Sequence, residues 1–167
     1  MLRFDPEGWR ETFLEEKNNL QYYLKNFKVA ISHFGATAYK NGRSNRNVDI
    51  LITVQDLKDL TAVVVRLQSK GYKLVVYEDE NHECSTLIAP KKVLGYGVTL
   101  KVMVYASSLY NRFNAFISLL KEHEHLIRLY NEYRDEIRYK CKNNWKEYRR
   151  LKIDYINLLI EEHFKFE

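Results

Sequence analysis

Cysteine, proline and glycine are scarce in this chain, with two, two and six of them among 167 residues. Cys84 and Cys141 stand 57 positions apart, with no CxxC and no Cys/His cluster. That excludes a disulfide framework and the usual zinc-ligand spacings, and it suits a reducing compartment. So few glycines and prolines exclude an all-β chain built on many tight turns, leaving long helices to carry much of the length. Long apolar runs are missing as well. No uncharged stretch approaches the ~18 residues of a spanning helix. Near the N-terminus, Asp5, Glu7, Glu11, Glu15 and Glu16 interrupt every run that a secretory signal would need. The sequence therefore predicts a soluble, cytoplasmic protein with no membrane partner.

What is present suffices for a folded core. Hydrophobic residues make up 46% of the chain and aromatic ones 14%, which excludes global disorder. The net charge of +5 has an address. Between Leu109 and Lys152 lie eleven basic and six acidic residues, so this segment alone holds an excess equal to that of the whole chain.

Trp9, Phe13, Leu20 and Leu24 recur near helical spacing and predict a helix over 8–24. The period then changes. Phe27, Val29 and Ile31 alternate with smaller or polar residues up to Gly35, as in a strand that ends at a turn. Residues 39–47 are polar and read as a loop, and the β-branched run 48–54 reads as a buried strand. Asp56 caps a helix running to about Lys70, with Leu57, Leu60, Val64 and Leu67 on one face and Gly71 as its stop. Strands follow over 73–77, 83–89 and 98–105. From Ser107 onward the pattern is helical, with breaks near His123 and at Asn143-Asn144. This order predicts an α+β sheet domain over 1–106 and a C-terminal helical section over 107–167 packed on it.

The residues that point to chemistry are Ser32-His33-Phe34-Gly35-Ala36-Thr37, followed after a loop by Val48-Asp49-Ile50-Leu51. A small-residue turn after a strand lets backbone NH groups approach a phosphate. A carboxylate on the next strand can then hold magnesium against that phosphate. In the same region Asp5-Pro6, Trp9 and Phe13, then His33, Gly35 and Thr37, then Asp49-Ile50 follow the spaced pattern of a known family. Further on, Leu67, Gly71-Tyr72, Ala115-Phe116, Leu120-Lys121, His123, Tyr148, Lys152 and Tyr155-Ile156 continue it. On these residues the chain resembles the GrpB-like proteins of the polymerase-beta-type nucleotidyltransferase superfamily. The resemblance implies a nucleotidyltransferase-like mixed sheet flanked by helices. It also implies a nucleoside triphosphate with magnesium as ligand, and transfer of a nucleoside monophosphate to an acceptor the sequence does not name.

The chain departs from that pattern where chemistry would occur. Active superfamily members carry two strand carboxylates at i and i+2, which point to one face and hold a metal pair. Here Asp49 stands alone, with Asn47 or Leu51 in the partner's place. Ala36 replaces a serine after the glycine, Lys40-Asn41-Gly42 and Asn45-Arg46 replace a Pro-Gly-Leu and a Lys-Pro, and Thr99-Leu100-Lys101 replaces a His-Leu-His. The expected site therefore has Asp49 as catalytic and metal-binding carboxylate and Glu83 as second metal ligand. His33, Gly35, Ala36, Thr37, Arg43, Arg46 and Lys101 are its phosphate and nucleotide contacts. The other reading is a catalytically degenerate nucleotide-binding or regulatory module. Plainer roles stand beside each of these: His33 holding a neighbouring loop, Thr37 a turn residue, and Arg43, Arg46 and Lys101 solvated side chains.

In the basic tail Tyr139, Trp145 and Tyr148 interleave with cations, a mixture that can bind nucleic acid. Ile137, Cys141, Trp145 and Tyr148, and then Leu151, Tyr155 and Leu158, also recur at helical spacing. The sequence therefore assigns them to core packing and a nucleic-acid partner is not expected. His123, His125 and His163 have no matching ligand set.

Overall fold

The computed structural model describes residues 4–44, 47–76 and 82–164. The chain divides into two compact units, one within residues 3–110 and one from 111 onward.

The first unit begins with helix α1 (Pro6–Tyr23). Asp5 caps it by accepting from the Gly8 NH at 3.2 Å, and Pro6 enters the first turn, where its missing NH costs nothing. Five strands follow, β1 (Ala30–Phe34), β2 (Asn47–Val54), β3 (Lys73–Val75), β4 (Cys84–Ile88) and β5 (Gly97–Val104), with helix α2 (Leu57–Ser69) between β2 and β3. They form one mixed sheet in the order β1-β2-β5-β4-β3, in which only the β2–β5 pair is parallel. The α+β class and the mixed sheet are as the sequence predicts. The first strand starts at Ala30 rather than Phe27, because the Phe27 NH still donates to the Leu24 carbonyl in the turn that closes α1.

The alternation of β2 and β5 sorts the sheet into two faces. Val48, Ile50, Ile52 and Val54 join Val98, Leu100, Val102 and Leu87 in one core with Trp9, Leu20 and Leu24 of α1 and Leu60, Val63 and Leu67 of α2. Each such fully buried aliphatic side chain contributes about 1.5–3 kcal/mol by leaving water. Leu57, expected on the buried face of α2, is instead 50% exposed, because the first residue of the helix projects beyond the sheet-covered turn. The opposite face carries Asn47, Asp49 and Leu51 of β2, Thr99, Lys101 and Met103 of β5, and Cys84 and Thr86 of β4.

The second unit contains α3 (Ser108–Glu122) from Asn111 on, with α4 (Glu124–Cys141) and α5 (Trp145–Phe164), so the helix breaks fall where the sequence puts them. Phe116 meets Tyr130 edge-on, Tyr133 stacks on Tyr155 at 4.1 Å, and buried Arg134 donates to the Tyr148 hydroxyl at 3.4 Å. Ile137, Tyr148, Ile156 and Leu159 are buried. Trp145 and Leu158, assigned to the core from their spacing, are about half exposed, since α5 buries the row containing Ile156 and Leu159 instead. No helix among the described residues is long and apolar enough to cross a membrane.

Candidate functional site

Gly35 follows β1 directly and opens a 3-10 turn, Gly35–Ala38, with a backbone φ of +71°. Register explains what it meets. Phe34 pairs with Asp49 across β1 and β2, so the chain turns beside the Asp49 side chain. A Cβ at position 35 would stand 2.7 Å from Asp49 Oδ2, well inside contact distance. Glycine is therefore required twice over, for the dihedral and for the space the carboxylate occupies. The loop beyond is drawn back in the same way. The Gly42 NH donates to the Tyr39 carbonyl at 3.1 Å, and a Cβ at position 42 would fall 1.7 Å from the Ala36 carbonyl oxygen. Ser44 Oγ donates to the Asn47 carbonyl at 2.8 Å, delivering the chain into β2.

Of the residues expected at a nucleotide, Gly35, Ala36 and Lys101 come to the Asp49 region. Ala36 is buried in the turn. Lys101 pairs with Leu51 on one side and Thr86 on the other, on the face that Asp49 shares. Arg43 is exposed just after Gly42. Arg46 lies outside the described residues.

His33 is not brought to this face. It pairs with Ile50, turns toward α1, stacks on Phe13 at 4.9 Å and shares a 2.8 Å hydrogen bond with Thr37 Oγ1. Burial lowers its pKa from 6.5 to about 4, so at neutral pH it offers no positive charge to a phosphate. Thr37 is 4% exposed and its hydroxyl is engaged by that histidine. The pair fixes the turn rather than facing the carboxylate. Glu83 is also not brought to Asp49. Its carbonyl accepts from the Val104 NH, whereas Asp49 pairs with Thr99, five residues earlier on β5 and roughly 16 Å along the strand.

On this face Asp49 is the only carboxylate among the strand residues, with Asn47 and Leu51 flanking it at i−2 and i+2. No group of three His, Cys, Asp or Glu side chains among the described residues could hold a metal ion. Thr86, Thr99 and Ser32, which pairs with Leu51, belong to the polar part of the face, and Lys73 stands on it at the β3 strand. Sequence reasoning missed Thr86, because its place beside Lys101 depends on the β4–β5 register, which strand periodicity alone does not fix.

The carboxylate beside a glycine turn on a mixed sheet is the arrangement to compare with known proteins. A family model described as GrpB protein matches residues 2–162. The chain belongs to the GrpB family. Its fold is similar, at a TM-score of 0.75 and 19% identity, to the crystal structure of the conserved protein GrpB from Enterococcus faecalis, over 95% of this chain and 94% of that one. A UPF0157 protein of Halalkalibacterium halodurans is 30% identical over 80 residues, 48% of this chain. The match spans only 40% of that relative's length. More distant likeness joins this GrpB chain to nucleotidyltransferase folds. The Cid1 poly(U) polymerase, solved with MgATP and with MgGTP, matches at a TM-score of 0.53 and 11% identity over 77% of this chain and 42% of that one. A cytoplasmic RNA terminal U-transferase matches at 0.53 and 10% identity over 80% of this chain and 41% of that one. These likenesses show the fold, as the sequence resemblance implied.

Proposed function

We propose that the Asp49 face takes a nucleoside triphosphate together with the magnesium that the triphosphate carries. We further propose that it transfers the nucleoside monophosphate to an acceptor with weakened chemistry. The observation that supports this reading is the charge of the face. One carboxylate, Asp49, stands with Lys101 beside it and Lys73 at the far strand of the same face, where paired-carboxylate chemistry needs at least two negative groups to hold two divalent ions. A face whose strands carry one negative and two positive groups is poorly suited to a metal pair and well suited to a phosphate that arrives with its own cation. Magnesium commonly keeps its waters and takes one or two protein carboxylates beside substrate phosphates, so Asp49 suffices as a single ligand. The Gly35–Ala36 turn leaves its backbone close to that carboxylate, and Lys101 supplies a fixed positive charge. The bound states of the fold's neighbours, MgATP and MgGTP, are of the same chemical kind.

A second reading, a binding or regulatory module with no chemistry, is favoured by Asn47 and Leu51, since neither flanking position can contribute a charge. Calorimetric titration with magnesium and each nucleoside triphosphate tests the shared part. Binding should require magnesium and be lost in Asp49→Ala. Equal affinity in both proteins would refute the Asp49 site.

A further inference from the structure

Away from the Asp49 face, the unit within residues 3–110 holds a cavity of about 330 Å³, within the size range of small-molecule sites. It opens among α1, the turn from α2 to β3, and the hairpin joining β4 to β5. The row to which Tyr72 and Ala89 belong continues into Val98 and Val48 of the α1-side core, so the cavity lies on the side of the sheet opposite Asp49.

Its wall contains Glu16, which is only 3% exposed. One carboxylate oxygen accepts from the Tyr72 hydroxyl at 2.5 Å and the other from the Asn19 amide at 3.2 Å. Burial, then the neighbouring Glu16, raise the Tyr72 phenol far above its ordinary pKa, so it stays protonated and remains a donor. Both partners are uncharged, and among the described residues no cation pairs with Glu16. The exposed Glu15 lines the same cavity, and so do three cations: Lys91, Lys92 and Lys70, the last with Nζ 5.5 Å from the centre of the Tyr23 ring.

We propose that this cavity binds a small zwitterion, whose ammonium group meets Glu16 and whose phosphate or carboxylate meets Lys70, Lys91 and Lys92. A buried carboxylate with only neutral donors gains most from a cationic partner. A simple anion would be repelled by Glu16 and Glu15 and a simple cation by the three lysines, so the arrangement selects molecules that carry both charges. The Tyr23 and Tyr72 rings offer cover to the stem that joins the two ends. The proposal does not depend on the Asp49 reading.

The test is an amide NMR titration of the full chain with O-phosphoethanolamine and with 4-aminobutyrate, which separate a phosphate from a carboxylate source. Ethanolamine and inorganic phosphate serve as the single-charge arms. At least one zwitterion should shift the signals of Asn19, Tyr72 and Lys91, and each single-charge arm should bind roughly tenfold more weakly or worse. Glu16→Gln, which keeps shape and can still accept from Tyr72, should weaken the zwitterion by about the same factor. So should the exposed double change Lys91→Ala with Lys92→Ala, which does not threaten folding. Absence of shifts with both zwitterions overturns the proposal, as does full binding by the lysine double variant. Shifts that vanish in Asp49→Ala would put the ligand on the other face and overturn it equally.

Discussion

At Gly35 the positive φ and the adjacent carboxylate make one residue answer to two constraints. Gly35→Ala should cost about 1–2 kcal/mol from the dihedral alone, and it should displace Asp49. Urea unfolding measures the first effect and magnesium-dependent triphosphate titration the second; wild-type binding in this variant would show that the turn does not position the carboxylate. At Gly42 the obstacle is the Ala36 carbonyl, which is backbone and cannot rotate aside, so Gly42→Ala should destabilise more than Gly35→Ala. His33 carries a different signature. Its folded pKa of about 4 lies below the ordinary 6.5, so the unfolded chain takes up the proton first. Stability is full above pH 6.5 and falls as pH drops toward 4, by no more than about 3 kcal/mol for a ring still partly open to solvent. Urea midpoints across that window should show a shallower slope for His33→Gln than for the parent. The tie from His33 to Thr37 was readable as the plainer of two roles, and the register that sends His33 toward Phe13 favours it.

Elements were the most legible level, because the chemistry that sets them is local. Asp56 accepts from the Asp59 NH at 2.8 Å and starts α2, and the break at Asn143-Asn144 is kept by the Asn144 side chain, which caps the last helix through the Glu147 NH. The exposures of Leu57, Trp145 and Leu158 were not legible, since periodicity identifies a stripe without saying how much of it a neighbour covers. Strand β2 carries the carboxylate of the proposed site. Its period of two puts Asn47, Asp49 and Leu51 on one face, so the sequence spacing alone locates the missing charge. Installing that charge is an element-scale experiment. If an absent carboxylate is what limits transfer, Asn47→Asp or Leu51→Asp, with water taking the nucleoside monophosphate in place of the acceptor, should release pyrophosphate from magnesium-bound triphosphate faster than the parent, by about 10² or more in rate for one restored electrostatic contact. Asn47→Asp is the milder change, because position 47 is exposed whereas Leu51 is only 5% exposed and a charge there must find a partner. Silence from both variants would support a module without chemistry.

For the whole molecule, neither the cavity at Glu16 nor the fate of the basic excess could be read along the chain. Glu16, Tyr72 and Lys91 are far apart in sequence, and no periodicity links residues that meet only through the packing of a helix, a turn and a hairpin. The charge excess was legible in position and hidden in effect. Arg150 bonds to Glu147 and Asp154, Lys140 to Glu136, and Arg128 approaches Glu132, so several cations of the helical segment already face carboxylates one turn away. Each such exposed pair adds only a few tenths of a kcal/mol to stability, yet together they lower the field that a phosphate backbone would meet. Trp145 and Tyr139 remain exposed and could stack on bases. The two effects separate by their dependence on salt. Binding driven by leftover charge falls steeply between about 50 and 200 mM salt, whereas base stacking adds about 1–3 kcal/mol per base. Anisotropy of a labelled oligouridine should therefore show weak association that disappears within that range and is unchanged by Trp145→Ala. Binding that persists above it and is lost with Trp145→Ala would mean that the aromatic residues and the basic helical face act together as a nucleic-acid surface.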